Sequence, residues 1–180
     1  MKLMFASDIH GSAYYCEKML EAFKNEKAER LILLGDILYH GPRNDLPKGY
    51  DPKAVIKMLN ENKADLICIR GNCDCDVDQM VLEFPIMAEN MIIYAGERMC
   101  WLSHGHVINP QNNMLKKGDI LINGHTHVPA LDMSGDVGYL NPGSVSIPKN
   151  GSKNGYMIFE NNEFVLKSLD GEVVDRVKLS

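Results

Sequence analysis

Short apolar runs recur along the chain, and each ends in a polar motif. Leu3-Met4-Phe5-Ala6, Leu31-Ile32-Leu33-Leu34, Leu66-Ile67-Cys68-Ile69, Cys100-Trp101-Leu102 and Ile120-Leu121-Ile122 are continuous apolar stretches. Runs this short without polar alternation read as strands buried on both faces. After the first run, Ser12 stands where a helix cap belongs, and Cys16, Met19, Leu20 and Phe23 follow at helical spacing among charges. Asp51 as cap and Pro52 as first helical residue open a second helix with Val55, Ile56 and Leu59 on one face. Strand, helix, strand, helix, strand is the crossover pattern of a parallel sheet.

The second half changes character. Short runs at 91–94, 99–103, 120–123, 130–133, 137–140, 156–160 and 163–168 are broken by Gly, Asn and Asp. Their spacing predicts hairpins turning at Gly96-Glu97, Ser134-Gly135 and Asn161-Asn162. Residues 37–50 form the longest stretch without periodicity, and long irregular loops in compact domains commonly serve a function. No internal repeat, low-complexity tract or linker interrupts the pattern, so one domain over residues 1–180 is expected.

The motifs that end the runs are Asp8-Ile9-His10, Gly35-Asp36, Gly71-Asn72-Cys73-Asp74, His104-Gly105-His106 and Gly124-His125-Thr126-His127. All would lie at the C-terminal ends of strands, the edge at which open α/β sheets place their sites. Of the six histidines only His40 lies outside them, a clustering that packing or solubility alone does not produce. Carboxylates, imidazoles and one carboxamide at one edge can hold two divalent cations, since Asp36 has two oxygens and can bridge. A two-metal hydrolase is the leading reading.

In order and content these motifs resemble the signature of the calcineurin-like metallophosphoesterases, which runs DxH, GD, GNH followed by D or E, GH, and GHxH. The resemblance spans residues 8–127. Longer strings, Gly35–Asn44, Arg70–Asp74 and Asn141–Pro148, are similar to small bacterial phosphodiesterases of the YfcE type. The resemblance implies an α/β fold, a four-layer α/β/β/α sandwich with two mixed sheets flanked by helices. It also implies Asp8, His10, Asp36 and His127 around one metal and Asp36, Asn72, His104 and His125 around the other. Two such cations lower the pKa of water toward about 7 and neutralise phosphoryl oxygens. Mn(II) suits the ligand set best, with Fe, Ni and Zn behind it.

One position departs from the family signature: Cys73 stands where most members carry a histidine that protonates the leaving oxygen. His106, two residues after His104, returns to the same face in extended geometry and competes with Cys73 for the acid role, or contacts substrate instead. Asn72 is assigned to the catalytic centre as well as to the metal. His40 and Arg43 on the 37–50 loop, and Asn141 and Ser144 in a string turning back toward the site, are candidate substrate contacts alongside Cys73 and His106. An arginine there can fork onto a phosphate oxygen, though a solvated surface arginine fits the loop equally.

Composition narrows partners and location. A formal charge of −5 argues against a sequence-independent grip on nucleic acid, although bound cations invert the field locally. A small-molecule phosphodiester is the expected partner, and a homo-oligomer is compatible with the sequence. Five cysteines leave at least one unpaired, and Cys68 and Cys100 sit in apolar runs, which fits a reducing cytoplasm. Cys73 and Cys75 lack the second pair that a zinc tetrahedron needs. No signal peptide pattern or membrane-length apolar run is present. Two rivals stay open: a phosphomonoesterase or nucleotide phosphatase with the same metals, and a non-catalytic binding scaffold of the same fold.

Overall fold

The computed structural model describes residues 1–179. β1 (Leu3–Ala6), β2 (Arg30–Leu33) and β3 (Leu66–Cys68) pair in parallel, linked by α1 (Ala13–Glu26) and α2 (Pro52–Glu61). A short α3 (Asp76–Val81) leads to β4 (Asn90–Ala95) and β5 (Arg98–Ser103), and β6 (Ile120–Ile122), β7 (Ala130–Asp132) and β8 (Gly138–Asn141) follow. β9 (Gly155–Glu160), β10 (Glu163–Ser168) and β11 (Val173–Lys178) return to the first sheet. The two mixed sheets run β11-β10-β9-β1-β2-β3 and β4-β5-β6-β8-β7.

The strand period of two explains why the N-terminal runs are wholly apolar. Met4, Ala6, Leu31 and Leu33 face a core shared with Cys16, Met19 and Phe23 of α1 and Val55 and Leu59 of α2. Leu3, Phe5, Ile32 and Leu34 face the opposite way, into a core shared with Cys100, Leu102, Ile120, Ile122 and Leu140 of the second sheet. The predicted caps form: Ser12 accepts from Tyr15 N at 3.2 Å and Asp51 accepts from Ala54 N at 3.1 Å.

Two differences from the sequence reading have physical causes. α3 and β11 were not foreseen: no residue of α3 is buried and β11 is almost wholly exposed, so neither carries an apolar period. The expected architecture, two mixed sheets flanked by helices, is present. α1 and α2 both feed the first core, while Ile92 and Tyr94 on the outer face of β4 are open to solvent. Every motif nevertheless lies just past a strand end, after β1, β2, β3, β5 and β6.

One half-buried ion cluster ties the helical layer to the sheet. Glu26, at the end of α1, accepts from Tyr156 Oη at 3.0 Å, meets Lys2 Nζ at 2.7 Å and pairs with Lys167. Burial disfavours its charge, but these donors outweigh that and bring its pKa from 4.5 down to about 2. A depressed carboxylate adds stability that is complete above its unfolded pKa and is lost as pH falls through its folded one. Glu26→Gln is therefore expected to lower the unfolding free energy at pH 7 by about 1–2 kcal/mol. Urea melts across pH should also show a flatter acid limb between pH 4.5 and 2 in the variant.

Candidate metal centre

The backbone is strained where the ligand candidates sit. Asp8, His10, Asp36, His125 and His127 all have positive φ, between 49° and 65°. Left-handed conformations at non-glycine residues cost about 1–3 kcal/mol each and persist where the surroundings fix them. Here they are fixed by bonds between motif loops, with His10 N donating to Asp36 O at 2.9 Å and Asp8 N to Gly35 O at 3.1 Å. The motif glycines permit this approach. A Cβ on Gly71 would lie 2.1 Å from Asp36 Oδ1, and one on Gly124 would lie 1.9 Å from Ser7 Oγ.

Three imidazoles are locked the same way. His10, His104 and His127 direct Nδ1 at the carbonyls of Tyr39, Leu34 and Ile147, at 2.7, 2.7 and 2.6 Å. A carbonyl accepts only, so Nδ1 carries the proton and Nε2 turns inward, the arrangement that orients metal-bound histidines. His10 Nε2 then lies 3.2 Å from His127 Nε2, and His127 Nε2 lies 3.2 Å from Asp8 Oδ1. On the other side His104 Nε2 is 3.3 Å from Asp36 Oδ2, 3.1 Å from Asn72 Oδ1 and 3.2 Å from His125 Nδ1. All seven predicted ligands are thus brought together.

The donor set fits cations. Donors roughly 3 Å apart are the spacing produced by ligands about 2.0–2.2 Å from a shared ion. Two inward Nε2 lone pairs at 3.2 Å repel unless a proton or a metal lies between them, and buried Asp8 Oδ1 faces only those same imidazoles, at 3.2 and 3.6 Å. Burial alone would raise the Asp8 carboxyl, but bonds from His10 and His127 hold it well below the usual range. Burial likewise disfavours charge on His104, yet Asp36 and Asp8 prevail and raise its pKa to about 9. Without metal, protons on His10 and His104, both raised against the effect of burial by Asp8 and Asp36, supply positive charge to these carboxylates.

The remaining predicted site residues divide. Cys73 is half-buried beside the cluster, its N–H donating to Asp36 Oδ1 at 2.8 Å and its sulfur receiving Asn72 Nδ2 at 3.2 Å. Burial, with Asp36 next, pushes its thiol up to about 12. His106 is exposed, its ring 5.5 Å from that of His104, and burial together with the charge on His104 lowers its pKa. Arg43 lines the cavity of about 460 Å³ above the cluster. His40 does not: its ring sits edge-on to Tyr39 and Tyr50, at 4.8 and 5.3 Å.

Asn141 and Ser144 are corrected from substrate contacts to supports, because both side chains are fully enclosed. Asn141 Nδ2 donates to Gly124 O at 2.8 Å, and Ser144 Oγ donates to Asp8 O at 3.0 Å, joined there by Ser146 Oγ at 2.9 Å. The 141–148 string does turn back to the site, but it grips the ligand loops from behind.

Sequence reasoning missed Asp74, Ser146, Thr126 and Lys149. Asp74 is buried, and its carboxylate accepts from Asp36 N, Ile37 N and Gly71 N, each at 2.8 Å. Its signal was present in the Gly71-Asn72-Cys73-Asp74 motif, as an acid one turn beyond a glycine. By accepting from Asp36 N, Ile37 N and Gly71 N it holds together the loops that carry two ligand candidates, Asp36 and Asn72. Asp74→Asn, which keeps one acceptor oxygen, is expected to weaken divalent-ion affinity about 10- to 100-fold. Calorimetric titration with Mn(II) checks it, and an unchanged affinity would remove this role.

A sequence model of the calcineurin-like phosphoesterase superfamily domain matches residues 1–163. The chain belongs to this superfamily. Phosphodiesterase YfcE of Escherichia coli (strain K12) is 45% identical over 175 residues, 97% of this chain and 95% of the relative. A solved structure described as YfcE, a phosphoesterase from E. coli, superposes with a TM-score of 0.96 at 44% identity, covering 100% of both chains. Vacuolar protein sorting 29 from Cryptosporidium parvum shares the fold at 16% identity, with a TM-score of 0.62 over 99% of this superfamily member and 98% of that chain.

Proposed function

We propose that the protein is a metal-dependent phosphodiesterase acting on a small-molecule diester. The carrying observation is the convergence of three inward-facing Nε2 atoms and two buried carboxylates at a strand edge, in a chain so similar to phosphodiesterase YfcE. Superfamily members use divalent metals. In this reading Asp8, His10, Asp36 and His127 hold one ion and Asp36, Asn72, His104 and His125 the other, with Mn(II) the first choice and Fe, Ni or Zn the alternatives. Bound there, the ions supply an activated water near neutral pH and neutralise charge on the phosphoryl oxygens.

The chain's own residues prepare that chemistry. Tyr39, Leu34 and Ile147 fix the imidazole tautomers, Ser144 and Ser146 hold the Asp8 backbone, and Asp74 holds Asp36. Proton supply to the leaving oxygen is weak. The Cys73 thiol, at about 12, keeps its proton, while the lowered pKa of His106 leaves the ring neutral at pH 7. Such a site favours esters whose leaving group departs without much protonation.

The fold alone does not fix the activity, since structures of vacuolar protein sorting 29 share it at 16 and 21% identity. Intact ligation chemistry at all seven positions favours the enzyme. We further take the chain as one cytoplasmic domain; all five cysteines are free, and no helix among the described residues is long and apolar enough to cross a membrane.

Paired substrates test the reading. With Mn(II) bound, kcat/KM for bis(4-nitrophenyl) phosphate is expected to exceed that for 4-nitrophenyl phosphate by about tenfold or more, a gap of roughly 1.4 kcal/mol in barrier. The reverse preference would make the protein a monoesterase with the same metals.

A further inference from the structure

The cavity above the ligand cluster is far larger than the reacting group. Its volume is about 460 Å³, against roughly 30 Å³ for one water in the liquid. A phosphoryl group seated on the ligand cluster fills a small part of it, so the rest accommodates an ester arm. Apart from the ligand residues, the walls are Gly41, Pro42, Arg43, Asn44 and Cys73 on one side of the sequence and Thr126 and Lys149 on the other. No Phe, Tyr, Trp or branched aliphatic side chain lines it, which disfavours an aromatic or lipid arm.

Two of these wall residues are cations. Among the described residues neither Arg43 nor Lys149 meets a carboxylate, whereas Lys2, Arg70 and Lys167 are each paired with one. Neither cation reaches Asp8 or Asp36 within ion-pair distance, although histidines do. They therefore stand out from the metal cluster, along the arm. Their loops are anchored to the site: Lys149 N donates to the carbonyl of the ligand His127 at 3.1 Å, and Arg43 lies in a turn closed by Asn44 Nδ2 on His40 O at 2.8 Å. In a chain of net charge −5, two cations that meet no carboxylate among the described residues line the same cavity and draw anions toward it.

A diester carries a single negative charge, and the metal centre neutralises it. Two further cations beyond that centre match a second anion on the same molecule. Building on the phosphodiesterase reading, we infer that the substrate is a phosphodiester whose ester arm ends in an anionic group, a phosphate or a carboxylate, held between Arg43 and Lys149. Arg43 can grip either through its planar fork, and Lys149 adds a point charge.

Three phosphodiesters with one 4-nitrophenyl leaving group decide it, their second arm ending in a neutral amide, a carboxylate or a phosphate. With the Mn(II)-loaded protein, KM is expected to be about tenfold lower for at least one anionic arm than for the amide, with kcat changed little; an exposed charge-assisted contact is worth about that much. The carboxylate and phosphate arms tell the two anions apart. In the double variant Arg43→Gln, Lys149→Gln the ratio should fall below about twofold, and in the unsubstituted protein added salt should erode it. Equal KM for all three arms, or a preference that survives the double variant, would overturn the inference. Kd values for the matching non-hydrolysable phosphonates give the same ratio without turnover. Preferential binding of an anionic arm with no turnover of any ester would uphold the cation pair and reject the phosphodiesterase reading instead.

Discussion

Chelation is expected to abolish aryl-diester hydrolysis, and Mn(II) to restore it. The nucleophile of the proposed reaction is a water activated by the ions. Among the imidazoles, His10, His127 and His104 turn Nε2 into the cluster rather than toward a water in the cavity. Without metal, water returns toward its bulk pKa of about 15.7, and the loss should exceed about 10³-fold. Asp36→Asn extends the test. Asp36 Oδ2 lies 3.7 Å from His10 Nε2 and 3.3 Å from His104 Nε2, so this one carboxylate faces both halves of the cluster. Removing its charge should deplete both ions together in elemental analysis and lower activity in parallel. Depletion of one ion alone would show that Asp36 does not bridge, and full activity in metal-free protein would remove the metal from the reaction.

Much of this site could be read in the sequence because strand ends project their motifs by a fixed geometry. Once Leu3–Ala6 and Leu31–Leu34 are recognised as parallel strands, Asp8 and Asp36 fall at one sheet edge, and His125 follows β6 at the corresponding end of the second sheet. What could not be read is the direction in which a loop side chain turns. Asn141 and Ser144 have the chemistry of substrate contacts, but the chain doubles back so that they meet the carbonyls of Gly124 and Asp8. His40 turns to Tyr50, while Lys149, one residue beyond the Asn141–Pro148 string, faces the cavity. Asp74 shows the complementary failure: its residue type suits a ligand, and only the three N–H groups around it reveal a support. The fold was legible wherever burial imposed a period. It was silent at α3 and β11, which bury almost nothing.

The departure at position 73 gives the second large effect. Cys73→Ser should retain most aryl-diester activity, since a thiol held at about 12 contributes little as an acid toward a good leaving group. His106→Ala should lose more, and lose most with basic leaving groups. A general acid is worth about 10²- to 10⁴-fold, and the ring, whose pKa is lowered by burial and by His104, belongs at the lower end of that range at pH 7. The measurement is rate against leaving-group pKa for both variants, with metal content matched. If Cys73→Ser steepens that dependence while His106→Ala leaves it unchanged, the roles are exchanged and the thiol is the proton donor. Position 73 then offers a gain as well as a loss. Its side chain already lies beside Asp36 and Asn72 at the cavity wall, the position at which the signature that this chain resembles has a histidine. Cys73→His should therefore raise activity toward alkyl esters more than toward aryl esters, because an imidazole there can donate its proton near neutral pH and the thiol cannot.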